Sequence, residues 1–152
     1  PRRCVSFAVA PVSPADCTRY CAAQGVDKKT AALYSELFDG HIGTVLDAAR
    51  DEARRAQVDK ALALAKAAAA QDSYAAAVLL AAYEKDKVGA AALLADFRAV
   101  AAAGLRGSHR APVQGDAARK ALAAADAAIQ RLGAQVNPKI TLSVLAARFR
   151  GL

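Results

Sequence analysis

The chain has 152 residues, carries a net charge of +7, and is 55% hydrophobic but only 5% aromatic. That length suits one domain or two small ones sharing a boundary, and the abundance of alanine describes a helical protein whose cores are thin and built from small side chains. No uncharged stretch approaches the 18 or so apolar residues that a membrane span requires, so a membrane partner is not expected.

The charge is unevenly placed. Up to Phe97, 12 Lys/Arg face 12 Asp/Glu, whereas from Arg98 onward 9 face 2. A partner attracted by charge therefore meets the last third of the chain. Nucleic acid and an acidic subunit are both candidates, and so is the plain alternative that the surplus keeps an alanine-rich surface soluble.

The first residue is Pro rather than Met, and the opening stretch reads as the end of a strand, so the chain is expected to be a piece of a longer protein. Val5, Phe7 and Val9 alternate with Ser6 and Ala8, the period of a half-buried strand, and Pro11 ends it. Arg2-Arg3 ahead of this apolar run, with Ala8-Val9-Ala10 after it, imitates a signal peptide. Ser6 interrupts the run, and Pro11 and Pro14 break the chain just beyond it. Cytoplasm is the expected location.

Ser13-Pro14-Ala15-Asp16 predicts a helix start, with Ser as N-cap, Pro at the first helical position and an acid in the first turn. This helix runs to about Gln24 and stops at Gly25. A second begins at Asp27, places Leu33, Tyr34, Leu37 and Phe38 on one face, and stops at Gly40. A third starts near His41 or Ile42 and is expected to continue to about Ala70. Its first half groups Ile42, Val45, Leu46 and Ala49. The charged middle, Arg50 to Lys60, holds i, i+4 pairs such as Asp51 with Arg55 and reads as an exposed segment.

Asp72-Ser73 caps a further helix expected to bury Tyr74, Val78, Leu79 and Tyr83. Gly89 is a candidate break or kink, with Leu93, Leu94, Phe97 and Val100 continuing an apolar face, so one helix or two fit residues 72–103. Gly104 to Gly115 reads as the one long loop. Asp116 opens a helix with Ala121, Leu122, Ala125, Ile129 and Leu132 toward a core, ended by Gly133. Asn137-Pro138 starts the last helix, whose apolar side is Ile140, Val144, Leu145 and Phe149.

No catalytic constellation emerges: there is no Ser/His/Asp set in context, no phosphate-binding glycine loop and no metal-ligand cluster. Cys4, Cys17 and Cys21 are an odd set. Cys17 and Cys21 share a helical face and would need two further ligands to hold a metal, so buried, reduced thiols are the expectation. His41 reads as a capping or surface residue, and Asp51, Glu52 and Asp59 as solvated charge. Arg106, His109 and Arg110 are placed to bind phosphate if the loop does not simply solvate them, and Arg119 and Lys120 extend that basic tract toward DNA or an acidic partner.

Three motifs in order support a resemblance: Arg2-Arg3-Cys4 before the strand, Gly40-His41-Ile42-Gly43-Thr44 at the third helix start, and Asn137-Pro138 at the last. With them the chain resembles the C-terminal part of bacterial DNA polymerase III clamp-loader subunits, most closely the delta-prime family. In that family a Ser-Arg-Cys motif closes the ATPase core. Arg2 stands here where the family has Ser.

The resemblance implies an all-α fold. Residues 1–12 would be a strand remnant of the AAA+ ATPase core, 13–56 a three-helix AAA+ lid, and 57–152 a helical collar through which subunits assemble. ATP-hydrolysing subunits open the third lid helix with Gly-x-x-Arg-Asp, whose Arg senses nucleotide. Gly43 stands at that Arg, which implies a stator without its own cofactor rather than a tau/gamma-type motor. Arg3 would be an arginine finger acting on ATP bound by a neighbouring subunit.

The implied partners are the delta and tau/gamma subunits, met through the collar at Ile140, Val144, Leu145 and Phe149, with DNA reached indirectly. The activity belongs to the DNA-directed DNA polymerase (nucleotidyltransferase) holoenzyme, and none is expected of this piece itself. The alternatives are a tau/gamma-type ATP-binding subunit and an unrelated basic helical module that binds nucleic acid.

Overall fold

The computed structural model describes residue 10 and residues 12–152. The expected strand at Val5–Val9, the thiol of Cys4 and the candidate finger Arg3 lie outside the described residues. Within them the protein is all-α: α1 (Pro14–Ala23), α2 (Lys28–Leu37), α3 (Ile42–Arg50), α4 (Glu52–Ala69), α5 (Ser73–Ala81), α6 (Lys87–Leu105), α7 (Gly115–Gly133) and α8 (Pro138–Arg148), closed by a 3-10 turn at Phe149–Gly151.

Local chemistry sets most of the boundaries. The side chains of Ser13, Asp27, Asp72, Asp86 and Asn137 each accept a backbone N–H from the first turn of the next helix, satisfying donors that a helix start leaves open. Gly25 takes positive φ, 87°, just after α1, and α2 is closed by Asp39 and Gly40 at φ 52° and 73°, a left-handed conformation that glycine adopts without strain.

One expected helix is divided, and one open division is decided. The long third helix is broken at Asp51, which sits at φ −90°, ψ 118° and so leaves the helical region. Its N–H closes α3 on the Asp47 carbonyl, and its carboxylate accepts from Ala53 and Arg54 to open α4. Asp51 therefore caps a new helix instead of pairing with Arg55, whose guanidinium donates to the Ala49 carbonyl. Residues 73–105 form two helices, and the break falls before Gly89, whose N–H donates to the Asp86 carboxylate at 2.8 Å.

The buried apolar side chains form one connected core, from Cys17 and Cys21 to Phe149. At its centre α6 packs along α7 and α4, burying Leu93, Leu94, Phe97 and Val100 as expected. By length and composition α6 is apolar enough to cross a membrane, although Lys87, Asp96 and Arg98 interrupt it, and half of its most apolar stretch is buried against neighbouring helices. A central core helix has the same composition as a span. The Phe97 and Phe149 rings meet at 5.8 Å between centroids, tying the C-terminal turn to that core. Cys17 and Cys21 are fully buried free thiols.

The buried faces of two helices differ from expectation. On α5, Ala76 and Leu80 go inward while Tyr74 and Val78 are 78% and 57% exposed. On α8 the inward residues are Thr141, Leu142, Leu145 and Ala146, and Ile140 is 59% exposed. Both helices carry apolar or small residues nearly all round, so a helical period has no single phase to choose. The buried face is decided by packing, α5 lying on α4 and α8, and α8 on α5 and α7.

Candidate functional site

Gly40 and Gly43 frame the start of α3 and have different constraints. A Cβ at Gly40 would collide with the Val12 carbonyl, and its φ is positive. At Gly43 an added Cβ meets nothing within 4 Å among the described residues. This position faces a shallow cleft of about 350 Å3 lined by Ala10, Val12, Gly40, His41, Ile42, Gly43 and Thr44, so packing does not demand a glycine there. His41 is exposed at the N-cap, and its Nδ1 donates to the Phe38 carbonyl at 2.6 Å.

The basic loop is held, not solvated. Ala111 and Val113 are buried beneath it, and Gly104 on α6 lets the Val113 carbonyl approach where a Cβ would collide. From this seat the loop clasps the end of α2. Arg110 and the Ser108 hydroxyl both bond the Glu36 carboxylate, and Arg106 donates to the Glu36 carbonyl at 3.2 Å and lies 3.5 Å from Asp39. Together with Pro14 and His109 these residues line a cavity of about 300 Å3.

The remaining expected contacts are likewise engaged within the chain. Arg119 donates two bonds to Asp116, and Lys120 reaches both Asp116 and the Gly151 carbonyl. These two cations hold the Asp116 carboxyl below its usual range. Arg98 pairs with Asp126, Lys139 lies 3.8 Å from Glu84, and Arg150 donates to the Ser73 hydroxyl. Of the nine cations from Arg98 onward, Arg131 and Arg148 alone have no side-chain partner among the described residues. Much of the C-terminal surplus is spent on acids of the first two-thirds, which sequence order does not display.

No protein-family model, curated protein or solved structure matches this chain. Its functional surfaces are read from their own chemistry.

The outer faces of α5, α7 and α8 make a further surface. Of the four apolar residues expected to meet a neighbour, Leu145 and Phe149 are fully used in the chain's own core, at 1% and 0% exposed. Ile140 and the half-buried Val144 remain available, beside a shallow groove formed with Ala124, Ala127 and Ala128 of α7. A second groove, lined by Ala77, Leu80, Ala81, Leu142 and Ser143 with Glu84 at its edge, separates α8 from α5, and Tyr74 and Val78 lie on the exposed side of α5. Small side chains between larger apolar ones suit close approach of another helix. The signal that sequence reading missed was the uniformly apolar composition of α5, which exceeds what one buried face needs. Asp51, Glu52 and Asp59 are exposed and form no catalytic group, and no cluster of His, Cys, Asp and Glu suited to a metal occurs among the described residues.

Proposed function

We propose that this chain is the lid-and-collar part of a delta-prime-like clamp-loader stator, a subunit that helps assemble the cytoplasmic ring that loads the sliding clamp onto primed DNA. In this reading residues 13–56 are the lid and 57–152 the collar, the division falling within the first turns of α4. The observation that carries it is the open apolar face of α5 and α8, with Tyr74, Val78 and Ile140 exposed on helices otherwise packed into a helical core. A collar exists to present such a face to neighbouring subunits.

Two further features support the stator over the alternatives. Gly43 provides no cation at the lid position where a motor subunit senses nucleotide, and among the described residues no neighbouring atom blocks a side chain there. The cations of the last third are mostly engaged by acids and carbonyls of the same chain, whereas a nucleic-acid module needs about 6–10 free phosphate contacts for strong salt-dependent binding.

The test is reconstitution with purified delta and tau/gamma-type subunits. The chain is expected to co-elute with them on size exclusion, and substituting Arg3→Ala in the intact protein is expected to lower clamp-dependent ATPase while leaving assembly intact. Absence of any co-elution overturns the collar reading, and an unchanged ATPase overturns the finger.

A further inference from the structure

The groove between α7 and α8 is framed by Arg131 on α7 and Arg148 on α8. The two helices form an antiparallel hairpin through the short turn at 134–137, so Arg131 lies toward the turn and Arg148 toward the opposite end. Between them run Val144 and Ala127, with Ile140 one turn before Val144. Neither guanidinium has a partner among the described residues. The face provides no acid of its own: α8 contains no Asp or Glu, and the two carboxylates of α7 are occupied by Arg119, Lys120 and Arg98. On the same wall the Thr141 hydroxyl is buried and has no hydrogen-bond partner.

Size decides what kind of occupant fits. The recess holds only about 10 Å3, room for one water at most, far below the roughly 300 Å3 or more of a small-molecule site. Two cations with aliphatic side chains between them are also too few for a phosphate track. What remains is a macromolecule that lies across the helices, apolar in its middle and negative at its ends.

We infer that the α7–α8 face docks an acidic amphipathic helix of another protein chain, its apolar side on Ile140, Val144 and Ala127 and its carboxylates on Arg131 and Arg148. Free guanidiniums match carboxylates in geometry as well as charge, and the alanines of the groove let a helix approach closely. This deepens the collar reading by stating the chemistry a neighbouring subunit must bring, and it rests on that reading only for the neighbour's identity.

The test places a photo-crosslinking residue at Ile140 in the full-length protein expressed in its own cells, with a control at exposed Tyr20 on α1. The Ile140 probe is expected to capture one partner through a helical segment bearing Asp or Glu, and the Tyr20 probe is expected not to. Combining Arg131→Glu with Arg148→Glu is expected to reduce capture about 100-fold, since two attractive pairs become repulsive. The corresponding pair of Gln substitutions is expected to reduce it less, and Arg119→Glu not at all. Far-UV circular dichroism checks the fold, and the Gln pair decides the matter should the Glu pair misfold.

Capture of nucleic acid, of a segment without carboxylates, or of nothing at Ile140 overturns the inference, as does capture indifferent to both arginines. An acidic helix from a protein outside the clamp loader sustains the docking chemistry and overturns the collar assignment. Co-elution with clamp-loader subunits that both arginine pairs leave unchanged does the reverse.

Discussion

Arg54 of α4 and Asp96 of α6 form a two-pronged ion pair, one prong being Nη2 to Oδ1 at 2.6 Å and the other Nη1 to Oδ2. Asp96 is 5% exposed, and Gln57 Nε2 donates to it at 2.8 Å. The Arg54 guanidinium also lies 5.7 Å from the centroid of the Phe38 ring, so one side chain links α4, α6 and the end of α2. Hydrogen bonding to Asp96 raises the Arg54 pKa above its already high value, so the cation persists across the working pH range. Removing one partner leaves the other charged and desolvated. Asp96→Ala is expected to lower unfolding free energy by about 3–5 kcal/mol, whereas the double change Arg54→Met with Asp96→Leu loses much less. Urea denaturation of the two variants separates these outcomes, and equal losses would refute the pairing argument.

The two glycines at the start of α3 are expected to respond oppositely. Gly43→Arg meets no atom of the described residues and replaces the poorest non-proline helix former, partly offset by a cation in the first turn opposing the helix dipole, so stability should rise by less than about 1 kcal/mol. Gly40→Ala imposes a side chain at φ +73° and against the Val12 carbonyl, which is expected to cost at least about 1–3 kcal/mol. Thermal unfolding midpoints should move in opposite directions. A loss with Gly43→Arg would mean that the first turn of α3 is covered after all.

Glu36 is the hub of the clasp between α2 and the loop after α6. Glu36→Gln removes the charge that holds Arg110 and the acceptor strength offered to Ser108. Arg110 is 52% exposed, so the global effect should stay within about 1 kcal/mol. Local opening should be larger: amide exchange at residues 106–110 is expected to speed up relative to α6, and added salt should imitate the substitution. Unchanged exchange would show that buried Ala111 and Val113 suffice to hold the loop.

Cys21 sets an alkaline limit. Burial, with Cys17 beside it, pushes its thiol from 9.0 to about 11. A pKa raised on folding means that the native state keeps the proton longer, so this contribution is complete below the unfolded pKa and disappears as pH rises from about 9 through about 11. Tyr34, likewise raised by burial, acts in the same direction above 10. Melting temperatures should therefore fall across this window, and Cys21→Ala should flatten the early part of the fall. Rapid iodoacetamide labelling of Cys17 or Cys21 at pH 8, read site by site because Cys4 also carries a thiol, would contradict their burial.

Much of the fold was legible because its signals are local. Ser13, Asp27, Asp72 and Asn137 cap the helices they precede, and Gly25 and Gly40 end the two before them. Each depends on a hydrogen bond or a backbone angle within a few residues. Asp51 was misread since an acid inside a charged run fits an i, i+4 pair as well as it fits a cap. Only the backbone conformation, extended at that residue, distinguishes the two.

What the sequence by itself determined is therefore an all-helical chain, the positions of most helix ends, and cores built from small side chains. Tertiary structure alone decided which sides of α5 and α8 are buried, leaving Tyr74 and Ile140 outside. It also decided which cations are spent on Glu36, Asp39, Glu84 and Asp126 and which two are left free. Alanine-rich helices that are apolar nearly all round carry little record of their orientation. The partners that orient them and neutralise their charges come from helices as many as 74 residues away in the chain, a separation that no local period can report.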